Sequence, residues 1–142
     1  MNKPGRNVLT AIVEIKASLE KVWNCWNDPD DIKQWNNCDA DWENLHVEND
    51  VREGGRFLFA MAKKDGGEHF NFEGYYDKVI PQQLLTYTLT DGRKSEVHFS
   101  GYNPVTITEH FEPVAELPSA MQLKFCEAVH QSFKRYIENT DN

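Results

Sequence analysis

Six short segments of alternating apolar and polar residues follow one another between residues 43 and 111. The breaks between them are Gly54-Gly55, Asp65-Gly66-Gly67, Pro81-Gln82, Asp91-Gly92 and Asn103-Pro104. An alternation with a period of two places the apolar side chains of a strand on one face, and these residue types favour tight turns. The pattern therefore predicts six consecutive antiparallel strands that must bury a single face.

The apolar face of this meander follows from the alternation. The alternation is clearest on either side of Asp91-Gly92, a dipeptide typical of a two-residue hairpin loop. The predicted inward-facing sets are Phe57, Phe59 and Met61; Phe70, Phe72, Gly74 and Tyr76; Leu85, Tyr87 and Leu89; Val97 and Phe99; and Val105, Ile107, Glu109 and Phe111.

One strand and two short helices are predicted before the meander. Residues 8–16 alternate, and the apolar set is Leu9, Ala11, Val13 and Ile15. Ser18 is a suitable cap for a first helix that ends near Asp28-Pro29, and a second helix extends from residue 30 to residue 35.

One long helix is predicted after the meander. Ser119, which follows Pro118, is placed as its cap, and the helix continues to about Ile137. Its predicted apolar stripe comprises Met121, Phe125, Ala128, Val129, Ser132, Phe133 and Tyr136. A sheet with one apolar face and one long helix to cover it must curl around that helix. We expect this α+β arrangement to enclose an apolar cavity.

Length and charge limit the organisation and the partners of the chain. Its 142 residues fit one domain, 1–142, with an ordered core of about residues 8–138 and no linker or repeat within it. The formal net charge of −8 opposes binding to nucleic acids and anionic membranes, and it favours a monomer or weak dimer. No leader is evident, and no apolar run approaches the ~20 residues of a membrane span. With three widely spaced cysteines, the expected location is cytoplasmic.

The sequence shows no convincing metal site. Cys25, Cys38 and Cys126 form no Cys-x-x-Cys pair. His98 and His110 are predicted on the outer face of adjoining strands, without an evident third ligand. The other histidines, His46, His69 and His130, join no recognisable constellation. We expect no metal and no cofactor.

Glu109 is the candidate polar residue of the cavity. Alternation places its carboxylate on the same face as Val105, Ile107 and Phe111. A carboxylate in an apolar pocket can hold the polar end of a ligand or act as an acid or base. The alternative is a structural hydrogen bond, for example to Tyr87 or Tyr76.

Four stretches of the chain resemble the START-like, helix-grip SRPBCC superfamily, in the branch related to the activator of the heat-shock protein 90 ATPase. They are residues 15–23, 28–35, 50–57 and 72–76, the last leading to Ile80-Pro81. The likeness extends from about residue 8 to residue 137. Ser18 stands where the family usually has proline, and serine also caps a helix. The resemblance implies the fold of birch-pollen-allergen-like proteins: a strand, two short helices, six strands and a long helix.

Members of this superfamily include carriers of apolar molecules, polyketide cyclases and chaperone regulators, so the fold does not choose a function. Our first hypothesis is a binding protein for a small apolar or amphipathic molecule, lipid-like or aromatic. Alternatives are a module that contacts a chaperone, and a cofactor-free cyclase or hydrolase that uses Glu109 as acid and base; an enzyme is the less favoured class. Trp35 is either a gate of the cavity or an anchor in the core. The predicted ligand-binding residues are Trp35, Phe57, Phe59, Met61, Phe72, Tyr76, Leu85, Tyr87, Val97, Phe99, Glu109, Phe111, Phe125 and Val129.

Overall fold

A seven-stranded antiparallel sheet and three helices make up the computed structural model, which describes residues 8–139. The elements in chain order are β1 (Leu9–Ile15), α1 (Leu19–Asn27), α2 (Pro29–Trp35), β2 (Trp42–Asn49), β3 (Arg56–Lys63), β4 (His69–Ile80), β5 (Leu84–Leu89), β6 (Lys94–Gly101), β7 (Val105–Phe111) and α3 (Ser119–Asn139). The strand order in the sheet is β1-β7-β6-β5-β4-β3-β2. This α+β architecture confirms the predicted helix-grip fold. Within residues 8–139, no helix has both the length and the apolarity that a membrane span requires.

Local side-chain chemistry sets the ends of the two short helices. The Ser18 hydroxyl accepts a hydrogen bond from the Lys21 amide at 3.2 Å, as an N-cap does. The Asp28 carboxylate accepts one from the Asp30 amide at 2.8 Å, and Pro29 occupies the first turn of α2. The second helix therefore begins at Pro29, one residue earlier than predicted. Likewise, α3 begins at Ser119 itself, so that residue is not an N-cap outside the helix.

The register of the sheet produces the predicted apolar rows. Phe59 pairs with Phe72, Tyr76 with Tyr87, and Glu109 lies between Val97 and Ala11. Phe70 belongs to the same row but lies at the end of its strand, is 41% exposed and contacts the Trp42 ring. The Asp91-Gly92 hairpin forms, but its loop is longer than two residues. The Leu89 amide donates a hydrogen bond to the Arg93 carbonyl at 2.8 Å, which closes the loop, and β6 begins at Lys94.

Phe133 is the centre of the packing between α3 and the short helices. Its side chain is fully buried, and its ring meets those of Trp26 and Trp35 at centroid distances of 5.1 and 4.8 Å. Trp26 and Trp35 stack on each other at 4.8 Å. These contacts attach the second half of α3 to α1 and α2.

Candidate ligand surface and polar cluster

The two halves of α3 differ in burial. Its buried residues all lie in the second half and are His130, Ser132, Phe133 and Ile137. In the first half, Met121 is 52% exposed and Phe125 is 40% exposed. Both were predicted in the apolar stripe that packs inward, but neither is buried. The helix packs mainly against β1 and α2, and its first turns leave these two side chains accessible.

On the sheet, part of the concave face also stays accessible. Phe59 and Phe72 are half-buried, with ring centroids 5.9 Å apart, whereas neighbouring Phe57 and Tyr87 are 3% and 8% exposed. The Phe72 ring contacts that of Tyr87 at 6.1 Å, and the Tyr87 hydroxyl reaches Glu109. A continuous row of side chains thus leads from Phe59 to the residues of α3 that contact Glu109.

The predicted ligand-binding residues fall into three groups by burial. The buried members are Trp35, Phe57, Met61, Tyr76, Leu85, Tyr87, Val97 and Phe99. The half-buried members, which we call the ligand surface, are Phe59, Phe72, Glu109, Phe111 and Val129. Phe125 is exposed. Trp35 is held in the core, where its indole N–H donates to the Cys25 carbonyl at 3.0 Å.

A surface depression of about 460 Å³ lies elsewhere, at the turn between β2 and β3. Its lining residues fall between Glu48 and Arg56, and none of them belongs to the predicted set. The Gly54-Gly55 pair lies in this turn, where sequence analysis places a connection between strands. Glu48 and Arg56 are both exposed, so this depression is open to water.

Glu109, Cys126 and His130 form a polar cluster that shares Glu109 with the ligand surface. The Glu109 Oε1 atom lies 2.7 Å from His130 Nε2 and accepts a hydrogen bond from the Cys126 thiol at 3.6 Å. The Tyr87 hydroxyl donates to Glu109 Oε2 at 3.5 Å. The His130 side chain is 2% exposed and that of Glu109 is 14% exposed. A hydrogen bond of Glu109 to Tyr87 or Tyr76 was one predicted alternative, and the contact with Tyr87 is present; the contacts with the two residues of α3 were not predicted.

One local pattern in the sequence could have indicated that His130 lies near Cys126. Cys126 and His130 are four residues apart on α3, and this spacing places two side chains on one face of a helix. That face meets Glu109 on β7, a contact that the spacing within α3 does not predict. The His130 Nδ1 atom is buried and has no hydrogen-bond partner among residues 8–139.

The cluster does not form a nucleophilic arrangement. Burial, reinforced by the negative charge of Glu109, raises the pKa of the Cys126 thiol far above its ordinary range. The thiol and the carboxylate both approach Nε2 of His130. A catalytic histidine instead receives its nucleophile and its orienting carboxylate on different ring nitrogens. The raised pKa therefore favours the protonated form of the Cys126 thiol.

Comparisons with known proteins place this architecture in a family. The model of the family described as "Activator of Hsp90 ATPase homolog 1-like protein" matches residues 16–135. The chain belongs to this AHSA1-like family. An AHSA1-like protein from Aeromonas hydrophila has a solved structure with 32% identity and a TM-score of 0.87, and the match covers 94% of this chain and 93% of that one. A protein from Cytophaga hutchinsonii has 38% identity and a TM-score of 0.81, with coverage of 92% and 91%.

A more distant relative shares the fold alone. The Nitrosomonas europaea protein has 16% identity and a TM-score of 0.80, and the match covers 93% of this chain and 94% of that one. The comparison with curated proteins gives no match. The AHSA1-like family thus accounts for the fold, and the residues of the ligand surface and the polar cluster must indicate the function.

We expect this AHSA1-like protein to lose stability in alkali, because it contains tyrosine hydroxyls and a cysteine thiol whose pKa values are raised by burial. Burial raises the pKa of Cys25 from 9.0 to about 11 and also raises the pKa of Tyr87 and Tyr76 above their ordinary value of 10.0. The folded state then holds these protons more tightly than the unfolded state. The contribution of these groups to the free energy of unfolding is expected to be constant below pH ~9 and to fall as the pH rises toward the raised values. Urea unfolding between pH 7.5 and pH 11 measures this.

Two conservative variants control the alkaline experiment. Tyr87→Phe removes a buried phenol and is expected to make the decline shallower. Tyr102→Phe changes a ring that is 70% exposed and is expected to leave the slope unchanged. Stability that stays constant up to pH 11 would show that these groups titrate alike in both states.

Proposed function

We propose that this protein binds a small apolar molecule between the sheet and the first half of α3. The observation that carries the proposal is the partial exposure of Phe59 and Phe72 within the aromatic concave face. Phe57, on the same face of β3, is only 3% exposed, so this accessibility is confined to part of the face. Apolar surface that a fold leaves open beside a polar group is the usual character of a small-molecule site.

Glu109 supplies the polar end of the proposed site. Its contact with Tyr87 is 3.5 Å long, beyond the usual 2.7–2.8 Å for O–H···O, so Oε2 keeps capacity to accept another hydrogen bond. A ligand hydroxyl satisfies this acceptor. A ligand carboxylate would meet the like charge of Glu109 in a protein whose net charge is −8. The favoured class is therefore a neutral molecule with an apolar body and a hydroxyl group.

Decanol and decanoate test this preference because they differ at the polar end. We expect titrations of the ¹⁵N-labelled chain to show that decanol binds at least about 10-fold more tightly than decanoate. The amide shifts are expected in β3, β4, β7 and the first half of α3. Glu109→Gln is expected to weaken decanol by about 10-fold, because a hydrogen bond to a charged acceptor contributes about 1.5–3 kcal/mol.

Glu96→Gln is the matched control for this titration. Glu96 lies on the outer face of β6 and contacts His98 at 2.9 Å. This variant is expected to bind decanol as the native chain does. Equal affinities for decanol and decanoate, or shifts confined to the β2–β3 turn, would refute the proposed site.

A second candidate function is docking to a protein partner through the start of α3. Leu117, Met121 and Phe125 follow one another at intervals of four residues and are 48%, 52% and 40% exposed. The family description connects relatives of this chain with an Hsp90 ATPase. If a purified Hsp90-class ATPase docks there, it broadens the amide signals of this segment, and Phe125→Ser abolishes the effect. Signals that stay sharp at saturating concentrations of the ATPase would eliminate this candidate.

A further inference from the structure

Three side chains able to bind a transition metal converge at the polar cluster. Glu109, Cys126 and His130 each offer one ligand atom, and these atoms all lie within 4.8 Å of one another. The pairwise distances are 2.7 Å between Oε1 and Nε2, 3.6 Å between Sγ and Oε1, and 3.8 Å between Sγ and Nε2. Carboxylate oxygen, thiolate sulfur and imidazole nitrogen are the three ligand types that zinc uses in proteins.

The distances within this set are close to those of a tetrahedral zinc site. Bond lengths of about 2.1 Å to nitrogen and oxygen and about 2.3 Å to sulfur imply an oxygen–nitrogen separation of about 3.4 Å and separations of about 3.6 Å from sulfur to either. The two sulfur distances already agree to within a few tenths of an ångström. Only Oε1 and Nε2 must move apart, by about 0.7 Å, when a metal replaces their hydrogen bond.

The elements that carry the three ligands restrict their relative movement. Cys126 and His130 lie one turn apart on α3, close to the anchored residue Phe133. Glu109 lies on β7 between its hydrogen-bonded neighbours β1 and β6. The remaining adjustment is a rotation of the Glu109 side chain, whose second oxygen has only the long contact with Tyr87 among the described residues.

We propose that Glu109, Cys126 and His130 bind a Zn²⁺ ion and leave its fourth position open to water or a ligand atom. The thiol loses its proton to solvent as the sulfur–zinc bond forms, so the step needs no other reactant. Calcium and magnesium are poor alternatives because they prefer oxygen ligands throughout. The inference does not rest on the binding of an apolar molecule.

The unpartnered Nδ1 atom of His130 limits the strength of this site. A metal-bound histidine usually donates its other N–H to an outer partner, and loss of that partner weakens binding by about 10–100-fold. Within residues 8–139, His130 Nδ1 lacks such a partner. We therefore expect an exchangeable zinc ion rather than a tightly held structural one.

Cobalt(II) titration of the full chain, after removal of metals with a chelator, tests the proposal. The native chain is expected to show a thiolate-to-cobalt charge-transfer band in the near ultraviolet and the strong visible bands of tetrahedral Co²⁺. One equivalent of Zn²⁺ is expected to remove both. The Cys25→Ala/Cys38→Ala double variant, which keeps Cys126 as the only cysteine, is expected to behave identically.

Cys126→Ser is expected to abolish the charge-transfer band. It is also expected to weaken Co²⁺ binding by more than about 100-fold, because loss of a direct ligand should cost more than loss of an outer partner, which costs up to about 100-fold. The His98→Gln/His110→Gln variant, which alters exposed or half-exposed imidazoles, is expected to retain the band. If Cys126→Ser does not fold, NMR of the native chain still decides, because Zn²⁺ must shift the ring signals of His130. Weak octahedral bands alone, or a band that depends on Cys25 or Cys38, would overturn the proposal.

Discussion

Phe133→Ala is expected to lower the free energy of unfolding by about 3–5 kcal/mol, the range typical of a buried phenylalanine reduced to alanine. The side chain is 0% exposed, and its ring meets both Trp26 and Trp35 within about 5 Å. Its removal leaves a cavity between α3 and the short helices and deprives two indole rings of an edge-to-face contact. Urea unfolding monitored by tryptophan fluorescence measures the loss.

Phe125→Ala on the same helix is the control for this variant. The Phe125 ring is 40% exposed in the half of α3 that is not anchored. Its truncation is expected to cost less than about 1 kcal/mol. Similar losses for the two variants would mean that the first half of α3 packs as tightly as the second, contrary to the difference in burial described above.

Val129→Trp is expected to abolish decanol binding, with a loss of affinity of at least about 100-fold. Val129 is a half-buried member of the ligand surface and precedes His130 on α3. An indole at this position takes the space that the ligand would occupy. If the proposed site is open space, it receives the larger ring, and the free energy of unfolding is expected to change by less than about 1 kcal/mol, whereas overpacking a filled interior costs about 1–3 kcal/mol.

The same substitution on the outward side of α3 controls for the effect of tryptophan itself. Glu127 is exposed, and Glu127→Trp is expected to leave both decanol affinity and stability near those of the native chain. Decanol binding that survives Val129→Trp would place the ligand elsewhere. A loss of several kcal/mol in stability would indicate that the space beside Val129 is already filled.

Most of the fold was predictable because its signals are local. Ser18 and Asp28 satisfy the amides at the start of their own helices, and each acts within three residues along the chain. The period of two was enough to place Glu109 on the inner face with Ile107 and Phe111, since alternation fixes the side of the strand from which that side chain projects. Its neighbours across the sheet, Val97 and Ala11, follow from the register in the structure.

The composition of the polar cluster was not predictable in the same way. The contact of His130 with Glu109 joins residues 21 positions apart, and it depends on how α3 is rotated against β7. Likewise, the apolar stripe of α3 includes Met121 and Phe125, but the pattern does not tell whether both halves of the helix reach the sheet. Such features depend on the angle between elements, which periodicity within each element does not determine.

Intermolecular nuclear Overhauser effects between decanol and the ¹³C-labelled chain test the proposed binding site most directly. The account predicts contacts from the alkyl protons of decanol to the rings of Phe59 and Phe72 and to the methyl groups of Val129. It also predicts that the carbon bearing the hydroxyl group lies next to Glu109. Contacts confined to outward-facing residues such as Tyr102 or to the β2–β3 turn, or none at saturating decanol, would contradict it.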